Sequence, residues 1–403
     1  MDTLVLKFGG TSVGTTERIS LVADIIQKSS EEAFPVVVIS AMSGETDRLI
    51  ELAESFGPEP NEREFDALIS TGEKVSSSLV AIALNQLGMK AKSLSAAQIG
   101  MKTTSNFSKA KILDLNNQII LESIEDGYIP VITGFQGITE GGDMTTLGRG
   151  GSDTTAVAIA ASIKSIRCDI YTDVDGIYTT DPRIVPEAKK LDSITMEEML
   201  ELAGQGAKVV QIRAVEFANK YRVPVRVLSS FESGSGTNIL LEESVMEDAV
   251  IKGIASQTDQ TKFTLHGVVD TPGIASGILS PVSEEGIEVD VIVQNVSVSG
   301  KTDFTFTVSD ADRSAAEKVL KEKMVNISYD ELIIDEDIAK VSLVGVGMRS
   351  HAGIASTAFN ALADSGVNIQ MISTSEIKIT IVIAEEQLKE AVRTLHKAFN
   401  LGA

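Results

Sequence analysis

Thr3–Phe8 is a short apolar run, and beyond it Ile19, Val22, Ala23 and Ile26 fall at the i, i+3, i+4, i+7 positions of an amphipathic helix. The alternation continues through the first two-thirds of the chain. Pro35–Ser40 is continuously apolar, as a strand buried on both faces should be, and a helix-like stretch, Thr46–Ser55, follows. Ser70–Glu73 precedes a helical segment over Val75–Leu87, while Ile129–Thr133, Ile166–Tyr171 and Val223–Leu228 read as further strands. Ala156, Val157, Ile159, Ala160 and Ile163 mark another helix. Strands alternating with helices predict an α/β unit with a mostly parallel sheet and helices on both faces. Each strand carries a polar or glycine-rich loop at its C-terminal end, and parallel strands share that edge, where ligands bind. Lys7, Ser40, Gly134, Arg149 and Asp173 are therefore expected to converge.

The loops hold the candidate chemistry. Gly9–Gly10–Thr11–Ser12 follows the first strand, with Lys7 at its end as a point charge, an arrangement suited to a phosphate. Its spacing is neither that of a P-loop nor that of a dinucleotide turn. Asp143–Ala156 holds Gly148, Arg149, Gly150, Gly151, Ser152 and Asp153 and opens onto the helix at Ala156. The glycines suit a backbone with positive φ lying close to a ligand, and the guanidinium suits a carboxylate or phosphate. An ordinary turn capped by Ser152 or Asp153 fits the same residues. Glu73 reads either as a first-turn acid facing the helix dipole or as a partner for an ammonium group. The acidic stretch Glu59–Glu64 reads as a solvated loop, and Cys168 as a core residue inside its strand.

The last third repeats itself. Pro272–Gly273–Ile274–Ala275–Ser276 recurs eighty residues on as Ala352–Gly353–Ile354–Ala355–Ser356, and Gly286–Ile292 recurs as Gly366–Ile372. Each copy reads strand, glycine turn, helix, strand, strand, helix. Only four residues follow the helix Glu385–Phe399, so the second copy lacks a last strand. Ala249–Ala255 is an unclaimed strand-like segment, expected to complete that sheet and make the first copy an insertion in the second. The glycine turns would offer helix N–H groups to a carboxylate, and Gln294–Asn295 and Thr374–Glu376 would meet an ammonium group. Dimerisation alone is the other reading of both copies. Exposed sheet edges favour pairing between chains, so a homo-oligomer is expected.

Composition narrows the partners. In 403 residues, 57 acids against 35 bases leave a net charge of −22, which argues against nucleic acid or an anionic membrane as partner. Any anionic substrate must then be met by locally placed cations. One cysteine fits a reducing compartment, and no leader or long apolar run is read, so a cytoplasmic protein is expected. The three histidines, His266, His351 and His396, all lie in the last third.

KFGGTS at 7–12, SAMSG at 40–44, TGE at 71–73, GFQG at 134–137, TTLGRGGSDTTA at 145–156 and TDVDGIYTTDPR at 172–183 together resemble the aspartate kinases. The resemblance implies an amino-acid-kinase αβα sandwich over residues 1–245, followed by two α+β ACT domains (βαββαβ), at 262–338 and at 249–256 plus 339–403. It implies transfer of the γ-phosphoryl of ATP, with Mg²⁺, to the β-carboxylate of L-aspartate. Lys7, Phe8, Gly9, Gly10 and Ser40 would meet the phosphates; Thr172, Asp173, Tyr178, Asp181, Arg183 and Lys208 would line the nucleotide. Thr46, Glu73, Arg149, Gly150, Gly151 and Ser152 would hold aspartate, and Lys7, Arg149, Asp153 and Asp181 would carry the chemistry. Asp153, Asp173 and Asp181 are the carboxylates expected nearest the metal, with no direct ligand assigned. Lysine, threonine or both would act as effectors at Asp270, Gly273, Ala275 and Gln294 in the first copy and at Gly353, Asn368, Ile369, Thr374 and Ser375 in the second. A different carboxylate or carbamate kinase of the same fold, or a catalytically silent amino-acid sensor, are the competing readings.

Overall fold

The structure, a computed structural model, describes residues 1–58, 60–207, 209–241, 250–296, 300–323, 327–346 and 353–402. They fall into two compact units. The first holds Met1–Tyr178, Lys190–Gly204 and the described residues between 208 and 245.

Its main sheet has eight strands: β1 (Thr3–Phe8), β2 (Phe34–Ile39), β3 (Ala91–Leu94), β4 (Ile129–Thr133), β5 (Arg167–Thr172), β6 (Ser193–Thr195), β7 (Val225–Ser229) and β8 (Thr237–Leu240). They lie in the order β6-β8-β7-β5-β1-β2-β4-β3. All neighbours are parallel except β7 and β8. The long apolar strands sit at the centre, because a strand buried on both faces needs no polar side. Leu4, Leu6 and Phe8 of β1 join Ile19, Val22 and Ile26 of the helix Thr16–Ser29 and Leu84 of the helix Thr71–Gln86 in one core. The register sets Phe8 beside Ile39 and Tyr171, and Ile39 beside Thr133. The ends of β1, β2, β4 and β5 thus form one edge.

A small second sheet, built of Met101–Thr103, Ile112–Leu115, Gln136–Ile138 and Met144–Thr146, was not expected. Three- and four-residue strands carry too little apolar periodicity to be read. The acidic stretch expected to be a loop is also helical from Glu62, with Asn61 as N-cap, and runs to Ile69. The helical stretch Glu62–Gln86 is long and apolar enough to cross a bilayer by length and composition, but half of that window is buried inside the unit. It is a core element.

The second unit holds Thr179–Lys189, Gln205–Ala207 and the described residues from 250 on. Its sheet is made of β9 (Val250–Val269), β10 (Ile292–Val296), β11 (Lys301–Ser309), β12 (Glu331–Val346), β13 (Met371–Thr374) and β14 (Lys378–Ala384), in the order β10-β11-β9-β12-β14-β13. Ala249 lies outside the described residues. From Val250 to Gln257, β9 pairs antiparallel with Lys340–Val346, whose other edge pairs with β14. Farther along, β9 pairs with β11 and with the first half of β12. The register shifts between Gln257 and Lys262, around Asp259 with its positive φ of 58°. Two cores result. Phe263, Leu265, Phe304 and Phe306 pack with Ile278 and Leu320 in one, and Val341, Leu343, Ile381 and Ile383 pack with Leu362 and Leu395 in the other.

Candidate active site

Close contacts at the strand ends build the site. Lys7, the penultimate residue of β1, is buried, and its Nζ lies 2.6 Å from Oδ1 of Asp153. Asp153 stands in the first turn of the helix Gly151–Ser162, whose residues are buried on every side through Ala160. Its other oxygen, Oδ2, accepts a hydrogen bond of 3.3 Å from the backbone N–H of Gln211. A buried charge pair of this kind persists only when both partners stay, because either alone is strongly penalised. At Gly10 a Cβ would fall 2.8 Å from the Ala41 carbonyl, and at Gly134 it would fall 2.6 Å from the Ser152 hydroxyl. Loops from three strands are thus in contact, and side chains at those two positions would separate them.

Glu73 is 3% exposed, one turn into the helix Thr71–Gln86. Its Oε1 accepts from the Ala41 N–H at 3.2 Å, while Oε2 is buried with no partner among the described residues. Burial pushes this carboxyl up to about 7, against the pull of the Glu73 and Ala41 N–H groups. A buried oxygen without a donor is a place for a cation.

The Asp143–Ala156 stretch differs from the expectation in two ways. The helix cap is Gly150 itself, in the left-handed region (φ 71°) with no side-chain cap bond, so neither Ser152 nor Asp153 caps it. Gly151 does not share the positive φ of Gly148 and Gly150; it is small because Leu147 and Phe135 press on it. Arg149, between them, is exposed, and no described residue pairs with it. It is the candidate clamp, free to meet an anion. Thr46 is half-buried in the first turn of the helix Glu45–Glu54, and Ser40 donates its N–H to Phe8. The Phe8 side chain is in the core, stacked on Tyr171 at 4.7 Å, so only its backbone can face a ligand.

At the end of β5, Thr172 donates to Asp173 and the Tyr178 hydroxyl donates to Asp175 at 2.7 Å, a bond that pushes the phenol up to about 12. Asp181 and Arg183 belong to the second unit, paired through a 2.7 Å contact that holds the Asp181 carboxyl below its usual range. Their segment packs there on its own terms: Val185 enters the core and Thr179 meets His396 at 3.1 Å. Lys208 lies outside the described residues. The described residues hold no group of three or more His, Cys, Asp or Glu side chains suited to a metal.

The repeat turns are also left-handed caps, Gly273 (φ 94°) and Gly353 (φ 116°), each leading into an eleven-residue helix. Asp270, Gln294, Asn368, Thr374 and Ser375 are exposed near those turns in sequence or on the outer strands, whereas Ala275 and Ile369 lie partly against their own cores. Reading by motif missed Asp66, Gln211 and Arg213, which hold the loops rather than form them. Asp66 had one signal: an acid three residues before Ile69, on the inward face of its helix.

A model of the amino acid kinase family matches residues 2–229, and one of the ACT domain matches residues 341–399. An aspartate kinase of Pseudomonas fluorescens is 55% identical over 407 aligned positions, covering 100% of this chain and 98% of its own. An aspartokinase of Corynebacterium glutamicum is 44% identical, with 100% and 97% covered. Among solved structures, E. coli aspartokinase III in complex with aspartate and ADP superposes with a TM-score of 0.86 at 26% identity, covering 98% of this chain and 99% of that one.

Proposed function

The chain belongs to the aspartate kinase family, and on that premise we propose how its residues move the γ-phosphoryl of MgATP onto the β-carboxylate of L-aspartate, giving 4-phospho-L-aspartate and ADP. The observation that carries the reading is the buried Lys7–Asp153 pair, taken together with a buried Glu73 oxygen and an exposed Arg149 that have no partner among the described residues. Glu73 takes the substrate ammonium and Arg149 its α-carboxylate, with Thr46, Gly150, Gly151 and Ser152 shaping the cradle. A β-carboxylate is already ionised at neutral pH, since its pKa is about 4, so no general base is needed. Its oxygen attacks the γ-phosphorus as the bond to ADP breaks, and catalysis rests on alignment and charge neutralisation. Lys7 supplies the cation at the transferring group, and Asp153 fixes it there. Gly9, Gly10, Ser40 and the Phe8 backbone flank the phosphates; Thr172, Asp173 and Tyr178 line the nucleotide.

Mg²⁺ fits a site of this kind when phosphate oxygens and water supply most of its ligands, because the described carboxylates form no cage of their own. Bound so, it would neutralise phosphate charge. Asp173 is the exposed carboxylate that would be most open to it, since Asp153 and Asp181 are each paired with a cation whereas Asp173, among the described residues, accepts only from the Thr172 hydroxyl.

The second unit is read as two interleaved ACT modules, 262–338 and 249–256 plus 339–403, that bind amino-acid effectors and pair copies of the chain. E. coli aspartokinase III also has a solved complex with lysine and aspartate, similar to this chain at a TM-score of 0.75 and 26% identity. That likeness supports lysine as a feedback effector; threonine, alone or with it, is the further expectation, with Asp270, Gly273, Ala275 and Gln294 on one module and Gly353, Asn368, Ile369, Thr374 and Ser375 on the other as the proposed effector contacts. The reaction would then be a first step towards lysine, threonine and methionine in the cytoplasm. A coupled assay of ADP release tests the whole reading, with aspartate against glutamate and with lysine and threonine added singly and together. Turnover with aspartate and inhibition by an effector are expected; no turnover with aspartate and MgATP would sink it.

A further inference from the structure

Arg149 has no hydrogen-bond or ion-pair partner among the described residues, yet the strand leading into its loop is held from two sides. On one side stands Asp66, fully buried in the helix Glu62–Ile69. Its Oδ2 accepts from the Thr146 N–H at 2.7 Å and the Ser108 N–H at 2.9 Å; its Oδ1 accepts from the Thr146 hydroxyl at 2.9 Å and the Ser108 hydroxyl at 3.2 Å. Four donors on one carboxylate fill its acceptor sites, and a wholly buried acid is stable only when so satisfied. Ser108 is bound in a left-handed conformation (φ 61°), and its carbonyl lies 3.0 Å from where a Cβ on Gly148 would fall. On the other side, Arg213 of the helix Ile212–Tyr221 donates to the Leu147 carbonyl at 2.5 Å and the Ala110 carbonyl at 3.1 Å. The Ala110 N–H in turn donates to Thr146 at 3.0 Å.

Residues 108–110 and 146–148 are therefore tied into one unit by a buried carboxylate and a guanidinium fork. Arg149 follows directly. The same two helices lead to the other groups of the site: the first is followed by the helix of Glu73, and the second is preceded by Gln211, the backbone donor to Asp153.

We propose that Asp66, backed by Arg213, is a positioning residue that sets the direction of Arg149 and so the fit of the substrate α-carboxylate. This rests on Arg149 being the aspartate clamp. Asp66 touches neither substrate nor phosphate; it acts through the loop. Asp66→Leu keeps the branched side-chain shape but accepts from none of the four donors, so the loop would lose its set conformation; an amide would not do this, since its oxygen can accept from both N–H groups while its NH₂ donates to both hydroxyls.

The test is a double-substitution cycle in the full-length chain, with steady-state constants for aspartate and for MgATP and a thermal melt for each variant. Asp66→Leu is expected to raise the KM for aspartate roughly tenfold while the KM for MgATP stays within about twofold, since misplacing one binding group penalises one substrate. Thr146→Val and Ser108→Ala, which remove one hydroxyl donor each, move the aspartate KM in the same direction by less and carry the test if Asp66→Leu does not fold. In an Arg149→Ala background, Asp66→Leu or Thr146→Val should have no further effect on the aspartate KM, because residues acting through one group are not additive. An undiminished effect in that background, or an equal rise in both KM values, overturns the positioning role. If Arg149→Ala alone leaves the aspartate KM unchanged, the clamp itself fails, and that result is read independently of Asp66.

Discussion

Among the described residues four helices begin with a left-handed glycine, at Gly44, Gly150, Gly273 and Gly353, and the Gly150 turn differs from the two repeat turns, Gly273 and Gly353, in what surrounds the glycine. At Gly150 a Cβ would fall 2.1 Å from Gln211, whereas at Gly273 and Gly353 nothing lies within 4 Å. Behind the Gly150 helix stands a buried ion pair; behind the two repeat helices stand ordinary apolar cores. All three present the same free N–H groups and the same dipole sign. What distinguishes the Gly150 turn is the buried charge that fixes its surroundings. The open turns have room for a ligand to bring its own partners.

The contrast is broken most directly at Lys7. Lys7→Met should lower kcat by about 10²–10³-fold, the usual loss when one preorganised electrostatic group is removed, with the melting temperature showing whether Asp153 tolerates the vacancy. A turnover rate within a few-fold of the parent would mean that the buried pair is only structural. Next in size is Arg149→Lys. Each charged hydrogen bond is worth about 1.5–3 kcal/mol, so loss of the planar fork should raise the aspartate KM by about ten-fold or more although the charge remains.

Glu73 gives a pH signature that no open turn can. Its carboxyl is raised in the folded chain from an ordinary 4.5 to about 7. Between those values the folded chain keeps a proton that the unfolded chain has lost, so stability falls as pH rises through that window and levels off above it. An ammonium bound at Glu73 requires the ionised form, so aspartate binding should weaken by up to about tenfold per unit as pH drops below 7, with proton release measurable by calorimetry in two buffers. Glu73→Gln should bind aspartate poorly and flatten that dependence. The smallest effect separates the turns by stability alone. Alanine at Gly353 meets no neighbour and should cost only the left-handed backbone penalty of about 1–2 kcal/mol, whereas alanine at Gly150 should cost more, because Gln211 must also move. Equal melting shifts would erase the distinction.

The parallel sheet and its loaded edge were legible because long apolar strands and their glycine-rich ends are strong signals: Ile129–Thr133 and Thr3–Phe8 were read to the residue. The candidate ligand loops were legible for the same reason, since Glu73 and Arg149 adjoin glycines and Lys7 stands two residues before one. Asp66 and Arg213 were not. A polar residue that supports a loop from another helix has a meaning set by long-range contact, and neither its spacing nor its neighbours in sequence announce it. Asp153 was expected near the metal together with Asp173 and Asp181; that it pairs with Lys7 is reached only through the fold. The short strands of the second sheet escaped because pairing, not periodicity, makes them strands.

One feature of the second unit governs how it can be made. The first half of β9 is held by the last residues of β12, with Val250 opposite Val346, so it emerges from the ribosome roughly a hundred residues before its partner. Until then Ile251 and Ile254 wait uncovered, and the intervening copy folds with a bare strand end protruding. Completion of this unit is thus timed by the arrival of the final third of its sequence. A chain released early would expose a sheet edge ready to pair with its own kind.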